Sequence, residues 1–174
     1  MKAHFAEGML ALEFENSEKE LLILSLVETF NMYEIDPAQL PERLQRYWTG
    51  LLSTRQAQDA DLEEAASDLR DTRLAWRSDR AKLLEQWLGA EGNLTGEGDD
   101  LFTLDDDEIE AFLAILNERR LLLAALNGIG ETQMDVNPAA LPTREMQRAV
   151  WEIHFLAYVM ENCLAALSDG GSES

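Results

Sequence analysis

The stretch that most constrains this fold is the last long apolar run, residues 143–167. Met146, Val150, Ile153, Ala157, Met160, Leu164 and Leu167 recur in strict four-three alternation, and Trp151, Phe155, Tyr158 and Val159 widen the stripe. A stripe that broad must be covered on several sides, so the spacing predicts a helix in the middle of a helical bundle. The segment just before it is an echo. Asn-Pro-Ala-Ala-Leu-Pro-Thr-Arg at 137–144 repeats Asp-Pro-Ala-Gln-Leu-Pro-Glu-Arg at 36–43, and Gln147-Arg148 answers Gln45-Arg46 after one extra residue.

The echo extends upstream. Leu12, Phe14, Glu18, Glu20, Leu22, Ile23 and Leu26 align with Phe102, Leu104, Glu108, Glu110, Phe112, Leu113 and Leu116, ninety residues on. Each half then reads as strand, helix, Asx-Pro turn, helix, and the order of features favours an internal duplication over common helix punctuation. The expected fold is mainly α, a pseudo-twofold four-helix core with one extra long helix and a two-stranded mini-sheet. As a domain it spans 1–168, with repeat one at about 9–53, the long helix at about 56–88, repeat two at about 101–167, and a flexible tail at 169–174.

Local signals fill in the elements. Leu10, Leu12 and Phe14 alternate with polar or small neighbours, the period of a half-buried strand, with Glu7-Gly8 as a turn before it. Ser17 and Glu20 have capping-box spacing, predicting a mostly buried helix to about Tyr33. Pro41 opens a second helix with Leu44, Tyr47, Trp48, Leu51 and Leu52 on its inner face. In the long polar helix Leu62, Leu69, Trp76 and Leu83 recur every seventh residue, with Ala66 and Trp87 at helical spacing beside them. So narrow a seam is either half solvated or waiting for a partner. Residues 89–100 form a glycine-rich loop, 101–104 a second strand, and the next helix ends on Gly128.

Charge excludes several function classes. With 34 acidic and 14 basic residues the formal net charge is -20, which repels phosphate backbones and leaves a basic protein surface as an allowed partner. The longest apolar run, 21–27, is far too short to cross a membrane, and the first residues lack a signal-peptide layout. Cys163 is the only cysteine. It sits in an apolar helical run, which argues for a core thiol and a cytoplasmic protein without disulfides.

No catalytic motif emerges. Only His4 and His154 are present, neither preceded three residues earlier by Glu, so a metal centre through histidine is not expected. No serine or cysteine has a plausible histidine base, and no Gly-rich phosphate loop follows a strand. The acidic run 105–108 suits a helix N-terminus better than a calcium loop. No cofactor is expected. The most specific surface feature is Arg70, Arg73, Arg77 and Arg80 at spacings of three, four and three, with Trp76 among them. It reads either as a face paired with nearby carboxylates or as an anchor for an acidic partner or ligand.

The segment 104–128, with Asp-Glu-Ile-Glu-Ala-Phe-Leu-Ala-Ile-Leu-Asn-Glu-Arg-Arg-Leu and a closing Gly-Ile, resembles the uncharacterised bacterial DUF2017 family through Leu116, Asn117, Arg120, Leu121 and Gly128. The long polar helix and the Gly-rich loop around Gly89 depart from that pattern. The resemblance implies a helical cytosolic protein and transfers no site.

Two function classes follow. The first is a non-enzymatic interaction or regulatory protein, self-associating as a homodimer through the seam of the 56–88 helix or a strand edge, or binding another protein. The second is a small-ligand binder or enzyme with a pocket between the halves, where Asn117, Arg120, Trp151 and His154 converge.

Overall fold

The computed structural model describes residues 1–49, 60–90, 92–95 and 101–170. Three strands form an antiparallel sheet in the order β1 (Lys2–Ala6), β2 (Met9–Glu13), β3 (Leu101–Asp105). The expected pair of strands is β2 and β3, in a register that places Leu12 opposite Phe102 and Leu10 opposite Leu104. The third strand, β1, is an addition to the mini-sheet. Its hairpin with β2 closes through Glu7 and Gly8, both with positive φ (53° and 77°), which matches the twist of the flanking strands.

Six helices complete the described fold: α1 (Asn16–Glu34), α2 (Glu42–Thr49), α3 (Ala60–Leu88), α4 (Asp106–Asn127), the single turn α5 (Glu131–Met134) and α6 (Arg144–Gly170). Short 3-10 turns at Pro37–Gln39 and Pro138–Ala140 precede α2 and α6. Each has an Asx cap accepting from the amide two residues on, Asp36 from Ala38 at 2.8 Å and Asn137 from Ala139 at 3.0 Å. Gln45 and Gln147 then reach back to the carbonyls of Leu40 and Leu141 at 2.7 and 2.9 Å.

The first helix starts earlier than expected. The box is made by Glu15 and Glu18, the Glu15 amide donating to Glu18 Oε2 at 3.0 Å, in place of the Ser17–Glu20 pair. Strand β2 ends at Glu13, so the chain turns before Ser17 is reached. Helix α4 has a full box: Asp105 Oδ1 accepts from the Glu108 amide at 2.9 Å, and Glu108 Oε2 from the Asp105 amide at 3.1 Å. Its end is as expected, Gly128 at φ 63° with Ile129 donating to the Ala124 carbonyl.

The sheet's inner face (Leu10, Leu12, Phe102, Leu104) packs with α4 and α6. Helix α6 lies against α4 and β1, and α3 lies against α1. Trp87 from α3, Phe102 from β3 and Phe112 from α4 meet edge to face, with ring centroids 5.5–5.9 Å apart. Each fully buried aliphatic or aromatic side chain here stabilises the fold by about 1.5–3 kcal/mol.

Two sequence expectations need correction. The inner face of α6 is Ala149, Val150, Glu152, Ile153, Leu156, Val159, Cys163 and Ala166. The stripe is therefore rotated by about one residue from the all-apolar one, leaving Trp151 (66 %), Leu164 (50 %) and Tyr158 exposed. Two factors rotate it: Glu152 takes an inner position because it meets Arg119, and the small Ala149, Cys163 and Ala166 permit close approach. Helix α6 also runs on through Asp169 to Gly170, the first two residues of the expected tail. A Cβ at Gly170 would sit 2.8 Å from the Phe5 backbone oxygen, so glycine lets the helix end directly on β1.

The outer part of α2 and the segment 50–59, including the expected inner-face residues Tyr47, Trp48, Leu51 and Leu52, lie outside the described side chains, as do Leu62, Ala66 and Leu69.

Candidate functional site

Helix α3 positions the arginine stripe. Among the described residues its buried ones are Arg77, Ala81, Leu84 and Trp87, one line at helical spacing, so Trp76 and Leu83 of the seven-residue series lie on the flank. The stripe therefore divides. Arg77 is 4 % exposed, and its Nη2 donates to the carbonyl of Met32 at 2.7 Å and to that of Ile35. It thereby caps the C-terminal end of α1, a helix with no basic residue in its own last turn. Burial pulls this guanidinium below its ordinary pKa.

Arg80 turns the other way. Its Nη1 donates to Glu118 Oε2 at 3.0 Å, and the Tyr33 hydroxyl donates to the same oxygen. Burial, followed by the Glu118 charge, raises the Tyr33 pKa. The Arg80 guanidinium also lies 6.0 Å from the centroid of the Trp76 ring. Arg73 is half-buried, and the Arg70 side chain lies outside the described residues. Two of the four arginines thus bind the fold together instead of facing outward. We expect Arg77→Ala to cost about 2–3 kcal/mol in urea unfolding, because charged donors to two helix-end carbonyls are lost.

A second buried cluster joins α1, α4 and α6. Arg119 donates through Nε to Glu152 Oε1 at 2.7 Å and through Nη2 to Glu28, which also accepts from Arg148 at 3.3 Å. Arg119 and Glu152 are 3 % and 5 % exposed. Neither pair was anticipated. The signal was present, since Glu118 and Arg119 fall within the apolar series Ile115, Leu116, Leu122 and Leu123.

Among the described residues two grooves flank α3. The one toward α1 has a volume of about 430 Å³ and is lined by residues that include Phe30, Ile35, Pro37, Leu74 and Arg77. The one toward α4 has a volume of about 330 Å³, with Trp76 and Leu83 facing Ala111 and Ala114, and Asp79, Arg80, Asp107 and Glu110 around them. Trp76 is 54 % exposed at its edge. The four residues expected between the halves line neither groove. Asn117, Trp151 and His154 are exposed, and Arg120 is half-buried with Nη1 3.8 Å from Met160 Sδ.

Among the described residues neither groove is lined by a histidine or a cysteine. Burial pushes the Cys163 thiol up to about 12, so it remains protonated. Among the described residues no group of three or more histidine, cysteine, aspartate or glutamate side chains is placed to hold a metal ion. Among them, too, no helix is long and apolar enough to cross a membrane.

A family model, Domain of unknown function (DUF2017), matches residues 6–167. The chain belongs to the DUF2017 family. The match runs through the long polar helix and the Gly-rich segment as well as through 104–128, so the DUF2017 domain includes α3 and both grooves. No curated protein matches the chain. No solved structure matches it either.

Proposed function

We propose that this DUF2017 domain is a non-enzymatic interaction module whose docking face is the α4-facing flank of α3. The observation that carries the reading is Trp76. A tryptophan is a large, rigid, amphipathic contact residue and a leading type at interface hot spots. Here it is half out of the surface at the edge of a groove, with Leu83 on the same flank. The helix that presents it is fixed from behind by Arg77, Leu84 and Trp87, so little order is lost when the face is covered. The ligand-binding or enzymatic alternative has weaker support, because Asn117, Trp151 and His154 are exposed and line neither groove.

The test is affinity capture with three proteins: the unaltered chain, Trp76→Ala with Leu83→Ala, and Trp151→Ala. Partners lost with the first variant and kept with the second support the reading, provided that both variants melt within a few degrees of the parent. An unchanged set of captured proteins in all three contradicts it. Sedimentation of the same proteins identifies a second copy if that is what the face binds.

The finer architecture is also a proposal: an ancestral strand-and-helix unit was duplicated. The Glu15–Glu18 and Asp105–Glu108 boxes stand ninety residues apart, and so do Leu12 and Phe102, which pair with each other across β2 and β3 as two equivalent residues on a local twofold must. Glu118 on α4 reaches Arg80 on α3, and Glu28, its equivalent on α1, reaches Arg148 on α6. These correspondences support α3 as the counterpart of α6, a place that the sequence echo alone assigns to α2.

A further inference from the structure

We propose that the groove between α3 and α4 takes a cationic, amphipathic segment of another protein, with an apolar side chain between Trp76 and the alanines of α4, and lysine or arginine side chains against Asp107 and Glu110. This rests on the interaction-module reading and deepens it by naming the chemistry of the occupant.

The groove is apolar within and acidic at its rim. On α4 the inward residues are Ala111 and Ala114, whose short side chains leave the space that Trp76 and Leu83 border from α3. The carboxylates around it do not all count equally. Asp79 is paired with Lys82 at 2.9 Å, which offsets it. Asp107 stands in the first turn of α4 together with Asp106 and Glu108, and three carboxylates exceed the positive half-charge of one helix N-terminus. Glu110, one turn further on, is exposed. Among the described residues that line the groove Arg80 is the one cation, and it is committed to Glu118 at 3.0 Å and to the Trp76 ring. The site therefore has surplus negative charge beside an exposed aromatic ring, and an incoming guanidinium or ammonium meets both.

Whole-molecule charge points the same way. A net charge of -20 accelerates encounter with a basic partner and opposes approach of nucleic acid, an anionic lipid surface or a second copy of this chain. An acidic peptide is opposed at the rim itself.

Three labelled helical peptides test this against the full chain by fluorescence anisotropy: one of Lys and Leu, its Glu and Leu counterpart, and one of Lys and Ser. The Lys/Leu peptide is expected to bind, more tightly at low salt than at high. Trp76→Ala should weaken it about tenfold or more, and so should Asp107→Lys with Glu110→Lys. Glu145→Lys with Glu161→Lys, on exposed positions of α6, makes the same change in net charge and should weaken it less than about threefold. Lys/Ser should lose most of the affinity. Equal weakening by the two double variants, or indifference to Trp76→Ala, would overturn the proposal, since attraction would then reflect net charge alone. Trp76→Ala decides the matter even if the double groove variant fails to fold. If instead the Glu/Leu peptide or a second copy covers Trp76, the cationic partner is wrong while the docking face stands; if nothing depends on Trp76, both readings fall.

Discussion

Arg119→Ala is expected to destabilise the domain by about 3–5 kcal/mol, a large part of the stability of a domain this size. The argument is one of stranded charge. Glu152 is 5 % exposed, and Arg119 Nε is its partner at 2.7 Å, so truncation leaves a carboxylate facing α4 without compensation. Glu28 loses the same guanidinium but keeps Arg148 and partial access to water. Replacing both Arg119 and Glu152 by methionine should recover most of the loss, because the desolvation cost disappears with the charges. Arg148→Ala, at an exposed rim pair, should change stability by less than about 1 kcal/mol. Urea denaturation of the four proteins gives the comparison, with a melting-temperature drop on the order of 10 °C for Arg119→Ala. A loss below about 1 kcal/mol for Arg119→Ala would contradict the stranded-charge account.

Trp87→Ala should cost a similar amount, about 3–5 kcal/mol, by a different mechanism. The indole is fully buried against Phe102 and Phe112, and its Nε1 donates to Glu108 Oε1 at 3.0 Å. Glu108 is the third residue of α4 and holds the capping box, so one side chain ties the end of α3 to the β3–α4 junction. Alanine leaves a cavity at that junction and removes a donor from the carboxylate. The effect reaches the docking face as well, because α3 and α4 are the two walls of the groove. Trp76→Ala, at a half-exposed ring eleven residues earlier, should by contrast cost less than about 1 kcal/mol. Denaturant midpoints for the two variants, read beside peptide binding, separate the tryptophan that holds α3 from the one proposed to bind.

How much of this was legible depends on what each residue had to reveal. The long helices and the β2–β3 pair were readable, because long apolar periodicity and alternating Leu10, Leu12 and Phe14 report burial directly, whereas the single turn α5 has too few residues to show a period. Strand β1 was not, since Lys2-Ala-His-Phe-Ala offers only Ala3 and Phe5 to the core side, too weak an alternation to stand out. The face of α6 was misplaced by the assumption that an inner position must be apolar. Glu152 breaks that rule, and its partner lies 33 residues away on another helix, a distance no local pattern reports. The same holds for Arg77: its spacing on α3 announced a stripe, but the α1 carbonyls it caps are 42 and 45 residues distant. The exposed Trp76 was visible as part of a seam with no partner. What the sequence lacked was the pair of alanines opposite it and the acidic first turn of α4 beside them, which only the packing of α3 on α4 brings together.

The central claim is a location, and fluorine NMR tests it most directly. In the full chain labelled with 5-fluorotryptophan, Trp48, Trp76, Trp87 and Trp151 each give a resonance, assigned by single replacement with phenylalanine. On titration with the Lys/Leu peptide the Trp76 resonance is expected to shift and to lose access to a soluble paramagnetic quencher, while the more exposed Trp151 keeps both its position and its access. Protection of Trp151 with Trp76 unmoved would contradict the account.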